Sequence, residues 1–125
     1  MSIHESGENY LETILLLQRQ NGFVRAVDVA NALSYTKASV SRAMHILEEK
    51  ELLTISPSGQ LALTDSGMDM ACDIYERHCI LTQFLMQSLK LDMKTADADA
   101  CRMEHVISPE AFARVKEYVR REARL

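Results

Sequence analysis

The sequence has no tryptophan, two prolines, four glycines and only 6% aromatic residues. Such scarcity excludes collagen-like and Pro/Gly-rich low-complexity chains. No apolar run is longer than Ile14 to Leu17, far short of the ~20 residues of a membrane span. The first residues, Met1-Ser2-Ile3-His4-Glu5, hold no basic stretch leading into an apolar one, so no signal peptide and a cytoplasmic location are expected. Three cysteines, at 72, 79 and 101, cannot all pair within one chain and form no CxxC. Buried thiols or metal ligands are therefore expected rather than a disulfide framework. A Gly-rich phosphate loop, an HExxH and a nucleophile–base pair are all missing, which argues against an enzyme and against a small-molecule substrate. Basic charge is also in deficit, with 14 Lys and Arg against 18 Asp and Glu, net −4. The overall basic footprint of constitutive nucleic-acid binding is thus missing. A local basic patch, or cations bound by the protein, could still supply it.

What is present is apolar residues, 47% of 125. A chain of this size buries roughly two-thirds of its unfolded surface, and disorder is excluded. Helical spacing runs through residues 9–18 and ends at Asn21-Gly22. Ala26 to Leu33 reads as a short second helix, Ser34-Tyr35-Thr36 as a turn, and Thr36 or Lys37 opens a third helix reaching about Glu51. Leu53-Thr54-Ile55 and Gln60-Leu61-Ala62-Leu63 flank Ser56-Pro57-Ser58-Gly59, the composition of a β-hairpin. Thr64 caps a long helix that continues to about Leu89. At about 25 residues it spans roughly 37 Å, more than one small domain needs, so its far end is expected to serve a second lobe or another subunit. Helices over Thr95–Ile107 and from Ser108-Pro109-Glu110 onward close the chain. The expected fold is mainly α: an N-terminal winged helix-turn-helix with a two-stranded β wing (1–70), then a helical lobe (71–125).

Two helices joined by a short turn and followed by a hairpin form a winged helix-turn-helix. The third helix begins with Thr36, Lys37, Ala38, Ser39, Ser41 and Arg42, the end that enters the major groove in such proteins. Small and hydroxyl side chains let the backbone approach, and Lys37 and Arg42 can neutralise phosphates or read guanine edges. Val40 and Met44 are expected to point inward. Residues 25–50 hold four bases against three acids, a local +1.

Cys101, Glu104 and His105 stand at i, i+3 and i+4, one face of a helix. Thiolate, carboxylate and imidazole together suit a divalent transition ion rather than Mg²⁺ or Ca²⁺. Asn9 and Glu12 are three apart near the N-terminus, and His78 lies midway along the long helix. These six groups could converge on one site or on two adjacent ones. Cys72 and Cys79, seven apart, are expected to pack in the core.

The segments Glu8-Asn9-Tyr10-Leu11-Glu12-Thr13-Ile14, Val27–Leu53, Leu63-Thr64-Asp65-Ser66-Gly67, Tyr75-Glu76-Arg77-His78 and Ala100–Ser108 resemble the diphtheria-toxin-repressor family of metal-dependent transcriptional regulators, which includes the manganese transport regulators. The resemblance covers nearly the whole chain. It implies a homodimer on double-stranded operator DNA, each subunit with a winged helix and a dimerisation lobe and metal held between them. The positions matching family ligands are Asn9, Glu12, His78, Cys101, Glu104 and His105. Position 9 is Met in iron-type and Asp in manganese-type members and is Asn here; position 101 is Cys as in iron-type members, where manganese-type ones have Glu. The family's ancillary site has its places taken by Thr82 and Asp97, so that site is weakened or rebuilt. No SH3-like domain is expected. The implied cofactor is Fe²⁺ or Mn²⁺, with Zn²⁺ or Co²⁺ able to bind in vitro. The competing class is a metal-independent winged-helix regulator whose helical lobe only dimerises or binds an organic effector.

Overall fold

A computed structural model describes residues 5–123; Met1–His4, on which the signal-peptide reading rests, lie outside them. The chain divides into two compact units between Cys72 and Asp73. The first holds α1 (Glu5–Asn21), β1 (Val24–Arg25), α2 (Ala26–Leu33), α3 (Lys37–Glu49), β2 (Leu53–Ile55), β3 (Gln60–Leu63) and the start of α4 (Asp65–Leu89). The second holds the rest of α4, α5 (Met93–Met103) and α6 (Pro109–Ala123). Among the described residues no helix is long and apolar enough to cross a membrane.

In the first unit each boundary has a local cause. Asp28 Oδ2 accepts from the Arg25 N–H at 2.9 Å and opens α2. Ser34 then ends α2 in the left-handed conformation, φ 59°, and the Tyr35 N–H closes on the Ala30 carbonyl at 3.0 Å. Thr36 is the N-cap of α3, its hydroxyl oxygen accepting from the Ser39 N–H at 3.2 Å. A cap of this kind stabilises a helix by about 1 kcal/mol. Val40, Met44 and Leu47 recur at helical spacing and are at most 2% exposed, so they anchor α3 and leave its opposite face to solvent. They join Leu11, Ile14 and Leu15 of α1 and Val29 and Ala30 of α2 among the buried residues, and α2 packs on both α1 and α3.

The hairpin forms as its turn residues dictate. Gly59 takes φ +87°, a conformation costly for residues with a Cβ, and its N–H bonds the Ser56 carbonyl at 2.9 Å. Leu53 pairs with Leu63 and Ile55 with Leu61. The structure adds a third short strand: Val24 pairs with Leu61 and Arg25 with Gln60, giving the order β1-β3-β2. Two residues are too few for any alternation to be legible in a sequence.

Gly67 is required for a reason its place in the first turn of α4 does not reveal. A Cβ there would lie 2.0 Å from the Leu52 carbonyl oxygen. That carbonyl already accepts from the Thr64 N–H, and the Thr64 hydroxyl links the Glu51 carbonyl, at 2.8 Å, to the Gly67 N–H, at 3.0 Å. The Leu-Thr-x-x-Gly segment thus locks the wing to α4 through backbone. Gly67→Ala is expected to cost about 2–3 kcal/mol, as overpacking against atoms that cannot move aside does. Chemical denaturation would show a lower midpoint with an unchanged slope; an unaltered midpoint would contradict the contact.

The second unit is built on small residues. Ala96 and Ala100 of α5 are fully buried beside Leu81 and Leu85 of α4, and Phe84, Phe112 and Val115 pack around them. Phe84 and Tyr118 meet edge to face at 5.4 Å. Asp92 caps α5, accepting from the Thr95 N–H at 2.8 Å, and Ser108 caps α6, accepting from the Ala111 N–H at 3.0 Å. Helix α5 therefore starts two residues before the expected Thr95 and stops at Met103 rather than Ile107. The Val106 and Ile107 N–H groups both turn back to the Met103 carbonyl, and Pro109 disfavours helical backbone at Ser108.

Candidate metal centre and DNA-reading helix

Helix α4 places His78 between two carboxylates. Its Nδ1 lies 2.8 Å from Glu104 Oε2 and its Nε2 lies 2.8 Å from Asp97 Oδ1. Glu104 is fully buried, and its other oxygen, Oε1, is 3.3 Å from His105 Nε2. One buried carboxylate thus has an imidazole on each oxygen. Tyr75, three residues before His78, lies nearly parallel to its ring, 14° off at 6.4 Å. A buried carboxylate is costly unless it is paired or coordinates a metal. Two imidazoles and a carboxylate are a donor set suited to a borderline divalent transition ion, so these residues fit one.

The expected single helix face for Cys101, Glu104 and His105 needs correction. Glu104 keeps helical backbone angles as the C-cap of α5, its N–H on the Ala100 carbonyl, but His105 lies in the turn beyond the helix. Cys101 is exposed on the last turn of α5. In the first unit Glu12 is buried on α1 and Asn9, one turn earlier, is half-buried. The core reading of the other cysteines also needs correction: Cys72 is half-buried and Cys79 exposed. Ala71, Ile74, Leu81 and Leu85 form the buried stripe of α4. Cys72 directly follows Ala71, so it sits about 100° around the helix from it. None of the three cysteines is in a disulfide. Asp97 is the residue sequence reasoning missed as a partner of His78, although it stands four before Cys101 and seven before Glu104.

The hydrogen bond from His78 to Glu104 raises the imidazole from its ordinary value to about 9; burial opposes this and Asp97 adds to it. In the metal-free protein the folded ring therefore holds its proton more tightly than the unfolded one. The resulting stabilisation is fully present below about pH 6.5 and is lost as the pH rises through about 9. Melting temperatures recorded in chelator should fall across that interval. A His78→Gln variant should lose the dependence; a flat wild-type profile would contradict the arrangement.

All six residues at the start of α3, Thr36, Lys37, Ala38, Ser39, Ser41 and Arg42, are exposed. Thr36 also donates its hydroxyl to Ser39 Oγ at 2.9 Å, so these two are partly committed to the cap. Tyr35, 49% exposed and edge-on to Tyr10 at 6.0 Å, flanks the same end.

A winged helix followed by a helical unit with a buried histidine–carboxylate cluster joins a candidate DNA-binding unit to a candidate metal-holding one. Residues 2–61 match the iron dependent repressor N-terminal DNA binding domain, and residues 64–123 match the iron dependent repressor metal binding and dimerisation domain. The chain belongs to the iron-dependent repressor family. It is 31% identical over 113 residues to an uncharacterized HTH-type transcriptional regulator of Methanocaldococcus jannaschii, covering 90% of each. It is 28% identical to the diphtheria toxin repressor of Corynebacterium glutamicum over 90% of this chain but 50% of that one. Among solved structures, a manganese-dependent transcriptional repressor in complex with manganese superposes with TM-score 0.84 at 25% identity, over 90% of this chain and 52% of that one. The IdeR of T. acidophilum superposes with TM-score 0.80 at 24% identity, over 94% and 55%. The chain thus spans about half the length of these longer relatives.

Proposed function

We propose that the protein is a metal-dependent repressor that binds double-stranded operator DNA as a homodimer when Fe²⁺ or Mn²⁺ is bound, and that it controls genes of metal homeostasis in the cytoplasm. The observation that carries this reading is the buried Glu104 between His78 and His105, inside the segment matched to the family's metal binding and dimerisation domain. The ligand assignment comprises Asn9 and Glu12 of the DNA-binding unit with His78, Cys101, Glu104 and His105 of the helical unit; it rests on the family resemblance and on donor chemistry. The bound ion supplies positive charge and coordination bonds to groups that otherwise carry net negative charge. Drawing donors from both units makes the arrangement of the DNA-binding unit sensitive to occupancy, because a ligand shifts an equilibrium only by favouring one state. Lys37 and Arg42 then reach phosphates or base edges, with Thr36, Ala38, Ser39 and Ser41 at close approach. In a dimer, two such helices read half-sites about 34 Å, or a multiple of that, apart. A thiolate at position 101 favours Fe²⁺ over Mn²⁺.

The test is an anaerobic DNA-binding titration against Fe²⁺, Mn²⁺, Co²⁺ and Zn²⁺, with ions counted per chain. Retention of duplex on metal addition and its release by chelator are expected. Binding indifferent to chelator would overturn the reading in favour of a metal-independent regulator.

A further inference from the structure

We infer that Asp97 is the residue that positions His78 for metal binding, holding the Nε2–H so that Nδ1 is the nitrogen offered to the ion. The inference deepens the proposed function and rests on its assignment of His78 as a ligand. The two nitrogens of the ring each lie 2.8 Å from a carboxylate oxygen, but their surroundings differ. On the Nδ1 side stands Glu104, fully buried, with His105 Nε2 3.3 Å from its second oxygen. Nitrogen and oxygen donors gather there. On the Nε2 side stands Asp97, whose side chain is 62% exposed. Among the described hydrogen bonds and ion pairs His78 is its one partner. A single carboxylate in solvent beside one ring nitrogen is too few protein ligands for a closed site. A carboxylate that accepts the second ring N–H of a ligating histidine is, by contrast, the usual outer partner of such a ligand. It fixes the tautomer and the ring orientation and raises the basicity of the metal-facing nitrogen. Thr82, one turn beyond His78, does not compete for the ring, because its hydroxyl is donated to the His78 carbonyl at 2.8 Å. The Tyr75 ring lies nearly parallel to the imidazole, 14° off at 6.4 Å, and takes neither ring nitrogen. Helix α5 and its C-cap thus carry both the buried carboxylate at 104 and, two turns earlier, the group that orients its histidine partner.

The test uses the full chain. Mn²⁺ affinity and the number of ions per chain are measured for the wild type, Asp97→Ala, Asp97→Asn and His78→Gln, with circular dichroism confirming the fold. Asp97→Ala is expected to weaken Mn²⁺ binding roughly ten- to a hundredfold with an unchanged ion count. Asp97→Asn, whose amide oxygen still accepts the Nε2–H, should recover binding to within about threefold of wild type. In the Zn²⁺-loaded protein, nitrogen NMR of the His78 ring should show Nε2 protonated and Nδ1 metal-bound, with the Nε2 proton exchanging faster in Asp97→Ala. Loss of one ion per chain in Asp97→Ala would make Asp97 itself a ligand and overturn the inference. So would unchanged affinity in Asp97→Ala when His78→Gln loses binding. Should His78→Gln bind Mn²⁺ like the wild type, the ligand assignment itself fails and the inference falls with it, a result read without reference to Asp97.

Discussion

Glu104→Gln is expected to abolish metal-responsive DNA binding while the protein remains folded. Glu104 is fully buried, and its two oxygens meet His78 Nδ1 at 2.8 Å and His105 Nε2 at 3.3 Å. Glutamine keeps the volume and one acceptor but removes the charge that draws a cation into the cluster. Loss of a supporting outer partner typically costs ten- to a hundredfold in metal affinity, so loss of a ligand should cost at least about a hundredfold. The fold should survive because the neutral side chain no longer needs a charged partner in the interior. Glu104→Ala should lose the response too, with an added penalty for the space left behind. Metal affinity by equilibrium dialysis, DNA retention with and without metal, and a cooperative thermal transition are the three readouts. A Glu104→Gln protein that still grips DNA only when metal is added would remove Glu104 from the ligand set.

Arg42→Ala is expected to weaken operator binding by ten- to a hundredfold and to narrow the gap between operator and random duplex. Arg42 is exposed on α3, so its loss should leave the unfolding transition unmoved. A guanidinium that pairs with a guanine edge contributes about 1–3 kcal/mol of discrimination. Lys37→Ala should behave differently: weaker binding to every duplex alike, and a salt dependence whose logarithmic slope is smaller by about one. Fluorescence anisotropy at several salt concentrations separates the two patterns. Equal loss on operator and random DNA for Arg42→Ala would make it a phosphate contact only.

The helix-turn-helix and its wing are legible in the sequence because their determinants are local. Thr36 caps α3, Val40, Met44 and Leu47 set its buried stripe, and Ser56–Gly59 form the wing turn, all within a few residues of the features they control. Strand β1 was not legible, since Val24 and Arg25 become a strand only by pairing with Leu61 and Gln60 far along the chain. Gly67 was seen, but its reason was not, because the obstructing atom belongs to Leu52. The cluster divides in the same way. Glu104 and His105 stood out by spacing, whereas Asp97 lies 19 residues from His78 on another helix and meets it only through packing. The end of α5 at Met103 is not legible, because apolar residues continue through Val106 and Ile107 and the stop comes from the turn onto Pro109.

Metal occupancy of the cluster and DNA binding are expected to be energetically coupled, and coupling is reciprocal. A duplex selected from random sequence in Mn²⁺ allows the most direct test: the Mn²⁺ dissociation constant of the wild-type chain, measured with and without that duplex. DNA is expected to tighten Mn²⁺ binding by the same factor by which Mn²⁺ tightens DNA binding, a factor of about 5–150 for typical coupling. Identical Mn²⁺ affinity in the presence and absence of bound duplex would contradict it.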